Sequence, residues 1–540
     1  MEGTLFGTET EYAAAGTLSP TELAYKVRGG VFEGRRYGLI EPAPREWGEI
    51  PGNGGFLFNG GRMYLDSGHL EYATPECRTL DEIVAAEQAG DLIVVATLGA
   101  LGLQGENFFI KNNTDHFGNT YGYHENYCIR SSPRSRSMVE GLLPFLVTRQ
   151  LYAGAGMVRP ASVRRLGSRQ RALPGPVASK PVPPFEISQR AAFITVDVSN
   201  RVRFGGRPIL NVRDEPLAGG RLRRLHNIIG DANRSDYATR LKIGTTALVT
   251  QLLDDGWQPD IELENSVYSL RDIAANPFGG WTVKLSDGST IPAVEVQRRY
   301  LVEANLRYFG RDDDTTWVLR QWSTVLNGLE TDPMRLDGYL DWVTKFLILE
   351  RRASRSSQAW EDPALVKLDL AYHHVDPAVS LVTLLQKQGK LKPLAPYGLA
   401  ERLTEHPPSG SRAMARGRVV RAMAEARIDE LVDWRRIGRR LGERATYGDG
   451  ETTVFEYVES HRELTDARAW DLIIYLNGWS DVALGNPSDP EAPHILPLSD
   501  PFTEGTIAAD EFIAAIPGWV QDIRDIRDMS RRRRDEAPNS

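Results

Sequence analysis

Cysteine is almost absent from this chain: among 540 residues there are two, Cys77 and Cys128. They form neither a CxxC pair nor any metal-type spacing, so a disulfide framework is excluded and a reducing cytoplasm is the natural compartment. No apolar run approaches the ~18 residues that a membrane helix needs, so no membrane span is expected. The opening MEGTLFGTETEY lacks a basic stretch followed by an apolar one, which predicts no signal peptide. Basic excess is missing as well. The formal net charge is −8, which argues against a nucleic-acid partner. The familiar nucleotide signatures are absent: there is no GxxxxGK[ST], and no GxGxxG between a strand and a helix. Neither a GxSxG elbow nor an HExxH pair occurs.

What is present is ordinary for a globular protein, 41% hydrophobic and 25% charged. The length exceeds the roughly 250–300 residues at which one core stops growing. A turn-rich HPPSGS run, His406 to Ser411, divides the chain into a large domain, residues 1–405, and a small C-terminal domain, residues 406–540. Strand patterns cover Thr4–Tyr12, Phe56–Leu65, Asn107–Lys111, Tyr121–Ile129, Ala192–Val198 and Pro208–Arg213. Helical patterns cover Leu80–Leu101, Tyr237–Leu253, Ala293–Tyr308, Asp313–Leu326 and Arg335–Arg351. Strands with polar faces and helices gathered later predict an α+β fold.

Four stretches carry chemistry. In NGGRMYLDSGHLEYATPEC, an extended Arg62–Asp66 puts Arg62, Tyr64 and Asp66 on one face and Met63 and Leu65 on the other. Glu71 and Thr74 follow near the same end. A buried row of cation, phenol and carboxylate is costly unless it holds something polar, whereas a solvated surface strand needs no ligand. In GTETEY, Glu9 and Glu11 share a strand face, and such a pair is either solvated or bound to a shared cation of the Mg²⁺ type. In YGYHENY, His124 and Asn126 face one way while Glu125 faces the other with Tyr123 and Tyr127. ILNVRDEP and RRLHNIIGDAN contribute Arg213, Arg224, His226, Asp231 and Asn233. The two arginines are candidate phosphate clamps, or else surface ion pairs with Asp214 or Glu215.

Together these blocks, with KNNTD, PFLVTRQ, LKIGTTALV and LDLAYH, resemble the Pup ligase/deamidase family, relatives of glutamine synthetase. The resemblance implies a twisted antiparallel sheet forming a cradle backed by helices, with a small C-terminal domain. It implies ATP and Mg²⁺ as cofactors, with a Pup-like protein modifier and pupylated substrates as partners. It assigns Asp66 as the catalytic base and Arg62, Thr74 and Trp434 as nucleotide contacts; Arg213 and Arg224 join them as the phosphate clamps read from their own chemistry. It makes Glu9, Tyr64 and Glu71 metal ligands, to which the residue reading adds Glu11 and His226. Four residues separate Asp66 from Glu71, a spacing similar to the deamidase branch. The expected activity is therefore hydrolysis of the modifier's C-terminal glutamine amide and of its isopeptide bonds to lysine. The alternatives are a ligase acting through an acyl phosphate, and a non-catalytic Pup-binding accessory protein.

Overall fold

The computed structural model describes residues 1, 3–42, 52–116, 118–159, 183–200, 206–213, 217–432, 475–486, 489 and 492–535. The strands that matter are, in chain order, β1 (Phe6–Gly16), β2 (Gly38–Ile40), β3 (Gly54–Leu57), β4 (Arg62–Asp66), β5 (His69–Ala73), β6 (Asn107–Ile110) and β7 (Tyr123–Ile129). They continue with β8 (Met157–Val158), β9 (Phe185–Glu186), β10 (Val196–Ser199), β11 (Pro208–Asn211) and β12 (Arg223–Asn227). The fold is α+β, as expected.

The chain packs as two units. The first comprises Met1–Leu23, Cys77–Pro216 and Arg221–Glu401; the second comprises Ala24–Glu76, Leu217–Gly220 and Arg402–Ser540. The cut at Glu401 lies beside the boundary read from HPPSGS. The recruitment of Ala24–Glu76 to the second unit is a long-range pairing that composition does not carry.

In the first unit the strand order is β10-β11-β12-β7-β1. All of these pairs are antiparallel except β10 with β11, and β6 pairs antiparallel with the end of β1. β1 alternates half-buried Gly7, Glu9 and Glu11 with buried Thr8, Thr10 and Tyr12, so one of its faces is open. Helices supply the core of this unit. Leu80–Ala100 opens with a capping box, in which Thr79 accepts from the Glu82 N–H and Glu82 reaches back. It is the one helix among the described residues long and apolar enough to cross a membrane, but 67% of its apolar window is buried inside the protein. It also carries buried Glu87 and Asp91, whose partners are protein side chains, so it is a core helix. Helix Asp236–Asp254 packs behind β7.

In the second unit β5-β4-β3-β2 form an antiparallel ladder. Its apolar core joins Phe56 and Phe58 to Val419 and Met423 of helix Ala413–Glu425, and to Leu484 and Phe512. The predicted single strand Phe56–Leu65 is two strands, because the chain turns through Phe58–Gly60 with Gly60 at φ 82°. Beyond β5, Glu76 receives both Arg412 and Arg416, and these guanidinium groups hold its carboxyl down to about 2 against the upward push of burial. Cys77 and Cys128 are both free thiols.

Candidate functional site

The β4–β5 hairpin turns through Ser67 (φ 51°) and Gly68 (φ 88°). Positive φ at both central residues is the type I′ turn, whose twist matches that of the strands it joins. A two-residue turn leaves one register: Asp66 opposite His69, Tyr64 opposite Glu71 and Arg62 opposite Ala73. Directly opposed residues project to the same side, so Glu71 joins Arg62, Tyr64 and Asp66 on one face. Met63, Leu65, Leu70 and Tyr72 take the other. Tyr64 donates to Glu71 Oε1 at 2.6 Å. The Arg62 guanidinium lies 4.5 Å from the Tyr64 ring centre and 3.8 Å from Glu41 Oε2. Arg62, Glu71 and Thr74 are buried, so this is not a solvated surface strand. Asp66, at the strand end, stays partly exposed and accepts from Ser67 Oγ at 3.1 Å.

In the first unit, register again does the assembling. Glu9 of β1 lies opposite His124 of β7, and Asn126 of β7 lies opposite His226 of β12. Four polar groups converge on the Glu9 carboxylate: His124 Nδ1 at 3.0 Å, Asn126 Nδ2 at 3.0 Å, Arg224 Nη1 at 3.5 Å and His226 Nε2 at 3.5 Å. Burial alone would raise the Glu9 carboxyl, but the contacts from His226 and His124 and the Arg224 cation carry it well below the usual range. Burial and the neighbouring Arg224 cation pull His226 down to about 4, so it is neutral near pH 7. A guanidinium has no acceptor, so the 2.9 Å contact from Arg224 Nη2 makes His226 Nδ1 the acceptor. The proton of the neutral ring therefore sits on Nε2 and points toward Glu9.

This trio fits a divalent cation. One atom each of Glu9, His124 and His226 lies within 4.8 Å of the others, with the carboxylate ionised and His226 uncharged. A cation at His226 Nε2 would require that nitrogen to give up its proton and Arg224 to release Nδ1. The set is also richer in nitrogen than Mg²⁺ prefers.

The other expected residues fall into different roles. Arg213 is exposed just beyond β11, its backbone N–H donating to Asn211 Oδ1 at 3.0 Å. Asp231 is a buried loop organiser, accepting from Ser188 Oγ and from the N–H groups of Ala155, Gln189 and Arg190. Asn233 donates to Ala153 O and Asp341. Trp434 lies outside the described residues, as do Asp214 and Glu215. The sequence reading missed the partner of Glu125: Arg149 grips it through two bonds, Nη2 to Oε1 at 2.5 Å and Nη1 to Oε2 at 2.7 Å. The available signal was the inward placement of an acid between two tyrosines, which demands a buried cation.

Residues 4–438 match the family model described as Pup-ligase protein. The chain is 37% identical over 401 residues to a Pup–protein ligase of Corynebacterium efficiens, covering 71% of this chain and 79% of that one. It is 37% identical over 451 residues to a Pup–protein ligase of Acidimicrobium ferrooxidans, covering 80% of this chain and 91% of that one. It superposes on the ligase PafA in complex with Pup with a TM-score of 0.71 at 27% identity, covering 99% of this chain and 98% of that one. PafA in complex with ADP gives a TM-score of 0.65 at 28% identity, covering 86% and 90%. The expected deamidase/depupylase activity is overturned by these relatives, which are ligases. The spacing between Asp66 and Glu71 misled because it encodes a turn type and hence a register, and register is silent on the direction of a reaction. The chain is a member of the Pup-ligase family.

Proposed function

We propose that this chain is a Pup–protein ligase, joining the C-terminal glutamate side chain of a Pup-like modifier to substrate lysines at the expense of ATP. The observation that carries this reading is the likeness to a Pup–protein ligase over 80% of this chain and 91% of that relative. The modifier and the lysine-bearing proteins are its partners, and ATP and Mg²⁺ its cofactors. ATP, when bound, supplies the phosphoryl group that converts an unreactive carboxylate into an acyl phosphate. Mg²⁺, when bound, offsets phosphate charge.

The chain's own residues then divide the work. In the first unit Glu9 and Glu11, with His124 and with His226 once its Nε2 has given up its proton, would hold a cation; in the second unit Tyr64 and Glu71 would do so. Arg62 and Thr74, with Trp434, are the nucleotide contacts, and Arg213 and Arg224 clamp phosphate oxygens. Asp66 takes the proton that makes a lysine ammonium nucleophilic. Its place at a strand end, partly exposed, suits a base that must meet a side chain on a bulky protein.

The test is incubation of the full chain with Mg-ATP, Pup ending in glutamate and a lysine-bearing protein, with conjugate followed on a gel. Conjugate is expected with the wild type, and Asp66→Asn abolishes it while retaining nucleotide binding. Absence of conjugate with the wild type overturns the ligase reading, and full activity of Asp66→Asn overturns the base.

A further inference from the structure

Gly122 stands immediately before β7, and its carbonyl accepts the Glu11 N–H at 3.1 Å. Its φ is not positive, so the backbone there is open to any L-residue and no turn demands glycine. The demand comes from the open face. A Cβ at this position would overlap Glu11 Oε1 and stand 2.6 Å from His124 Nε2. The ends of both side chains therefore close over the Gly122 Cα, in the space a methyl group would fill. His124 meets Glu9 at 3.0 Å through its other nitrogen, Nδ1. The imidazole thus meets Glu9 with one nitrogen, while its other nitrogen and a Glu11 carboxylate oxygen both border the space above Gly122.

We propose that Gly122 is a positioning residue for the cation ligands of this face: by having no side chain it leaves the space in which His124 reaches Glu9 and the Glu11 carboxylate takes its place on the same face. The inference rests on the reading of the β1–β7–β12 face as a cation site. The atoms a methyl would meet are the far ends of two side chains, which can swing away, so the cost falls on the ligand geometry and not on the backbone. An ordinary strand-end glycine behaves oppositely, since alanine there stiffens the unfolded chain and stabilises the fold without touching a site.

The experiment uses the full chain and Mn²⁺ alone as probe, with free Mn²⁺ read by electron paramagnetic resonance and folding by thermal melting. Gly122→Ala is expected to melt at or above the wild-type temperature and to bind Mn²⁺ at least about tenfold more weakly, the size of loss that misplaced ligands produce. In a His124→Ala background the same substitution should add much less, because one of its two targets is gone. Wild-type affinity in Gly122→Ala overturns the proposal. So does a large fall in melting temperature, which would place the strain in the backbone, and so does full additivity with His124→Ala. A wild-type chain that binds no Mn²⁺ overturns the cation reading and this proposal with it. Wild-type Mn²⁺ binding without conjugate formation overturns only the ligase reading.

Discussion

Adjacent residues of β7 meet opposite fates. Glu125 points into the protein, where it and Arg149 are both 0% exposed and joined by a two-pronged ion pair. Tyr127 donates to the same carboxylate at 2.7 Å, and Lys242 stands over the Tyr123 ring. His124 and Asn126 point the other way, toward Glu9, which keeps 13% of its side-chain surface exposed. Both faces are acidic, polar and partly desolvated. They differ in what neutralises the acid. Behind the sheet a guanidinium fork consumes the charge of Glu125, leaving nothing for a ligand. On the open face Glu9 is held by neutral or displaceable groups: a histidine kept uncharged, an amide, and an arginine at 3.5 Å. The first arrangement closes its charge inside the fold; the second leaves its acid on the open face, which is what the proposed cation site requires.

The comparison can be broken most directly from behind. Arg149→Met takes the two-pronged partner from the buried Glu125 carboxylate, leaving only the more distant Lys242, and should cost about 3–5 kcal/mol of stability, measured by urea unfolding. A loss below about 1 kcal/mol would mean that the closed face is not structural. Glu76 extends the test to the second unit, where Arg412 and Arg416 consume its charge in the same way. Its folded value of about 2 lies below the ordinary 4.5. Its stabilisation is therefore complete above about pH 4.5 and is lost as pH falls toward 2. Glu76→Gln should be less stable at neutral pH, with the gap to wild type closing across that window in acid unfolding curves. On the open face the effects on stability shrink. Asn126→Ala removes one hydrogen bond to Glu9 and should cost about 1 kcal/mol. His124→Ala should change stability least, by less than about 1 kcal/mol, yet weaken Mn²⁺ binding. A His124→Ala protein that unfolds as readily as Arg149→Met would erase the distinction between the two faces.

Much of this was readable in the residues. The alternation in GTETEY, RMYLD and YHENY sorts Glu9 with Glu11, Arg62 with Tyr64 and Asp66, and His124 with Asn126, because a strand's period of two is a property of its own dihedrals. Helix Ala293–Tyr308 also has the predicted ends. Boundaries failed where a local conformation interrupts an unbroken pattern. The expected helix Arg335–Arg351 is a short 3₁₀ turn, Pro333–Leu336, then Asp341–Ala353, because Gly338 at φ 81° breaks it. The expected strand Ala192–Val198 begins as a 3₁₀ turn over Ala191–Phe193. The reaction branch failed for a different reason, since a local spacing reports on a turn and not on chemistry.

What the residue order determined by itself is the side of its strand on which each candidate lies, since neighbouring φ and ψ suffice for that. Which carboxylate is silenced and which is left available was decided only by tertiary structure. Arg149 approaches Glu125 from 24 residues away, and Arg416 approaches Glu76 from 340. Whether a charge has a buried counter-ion depends on the elements packed against its strand, and no window of local sequence contains them.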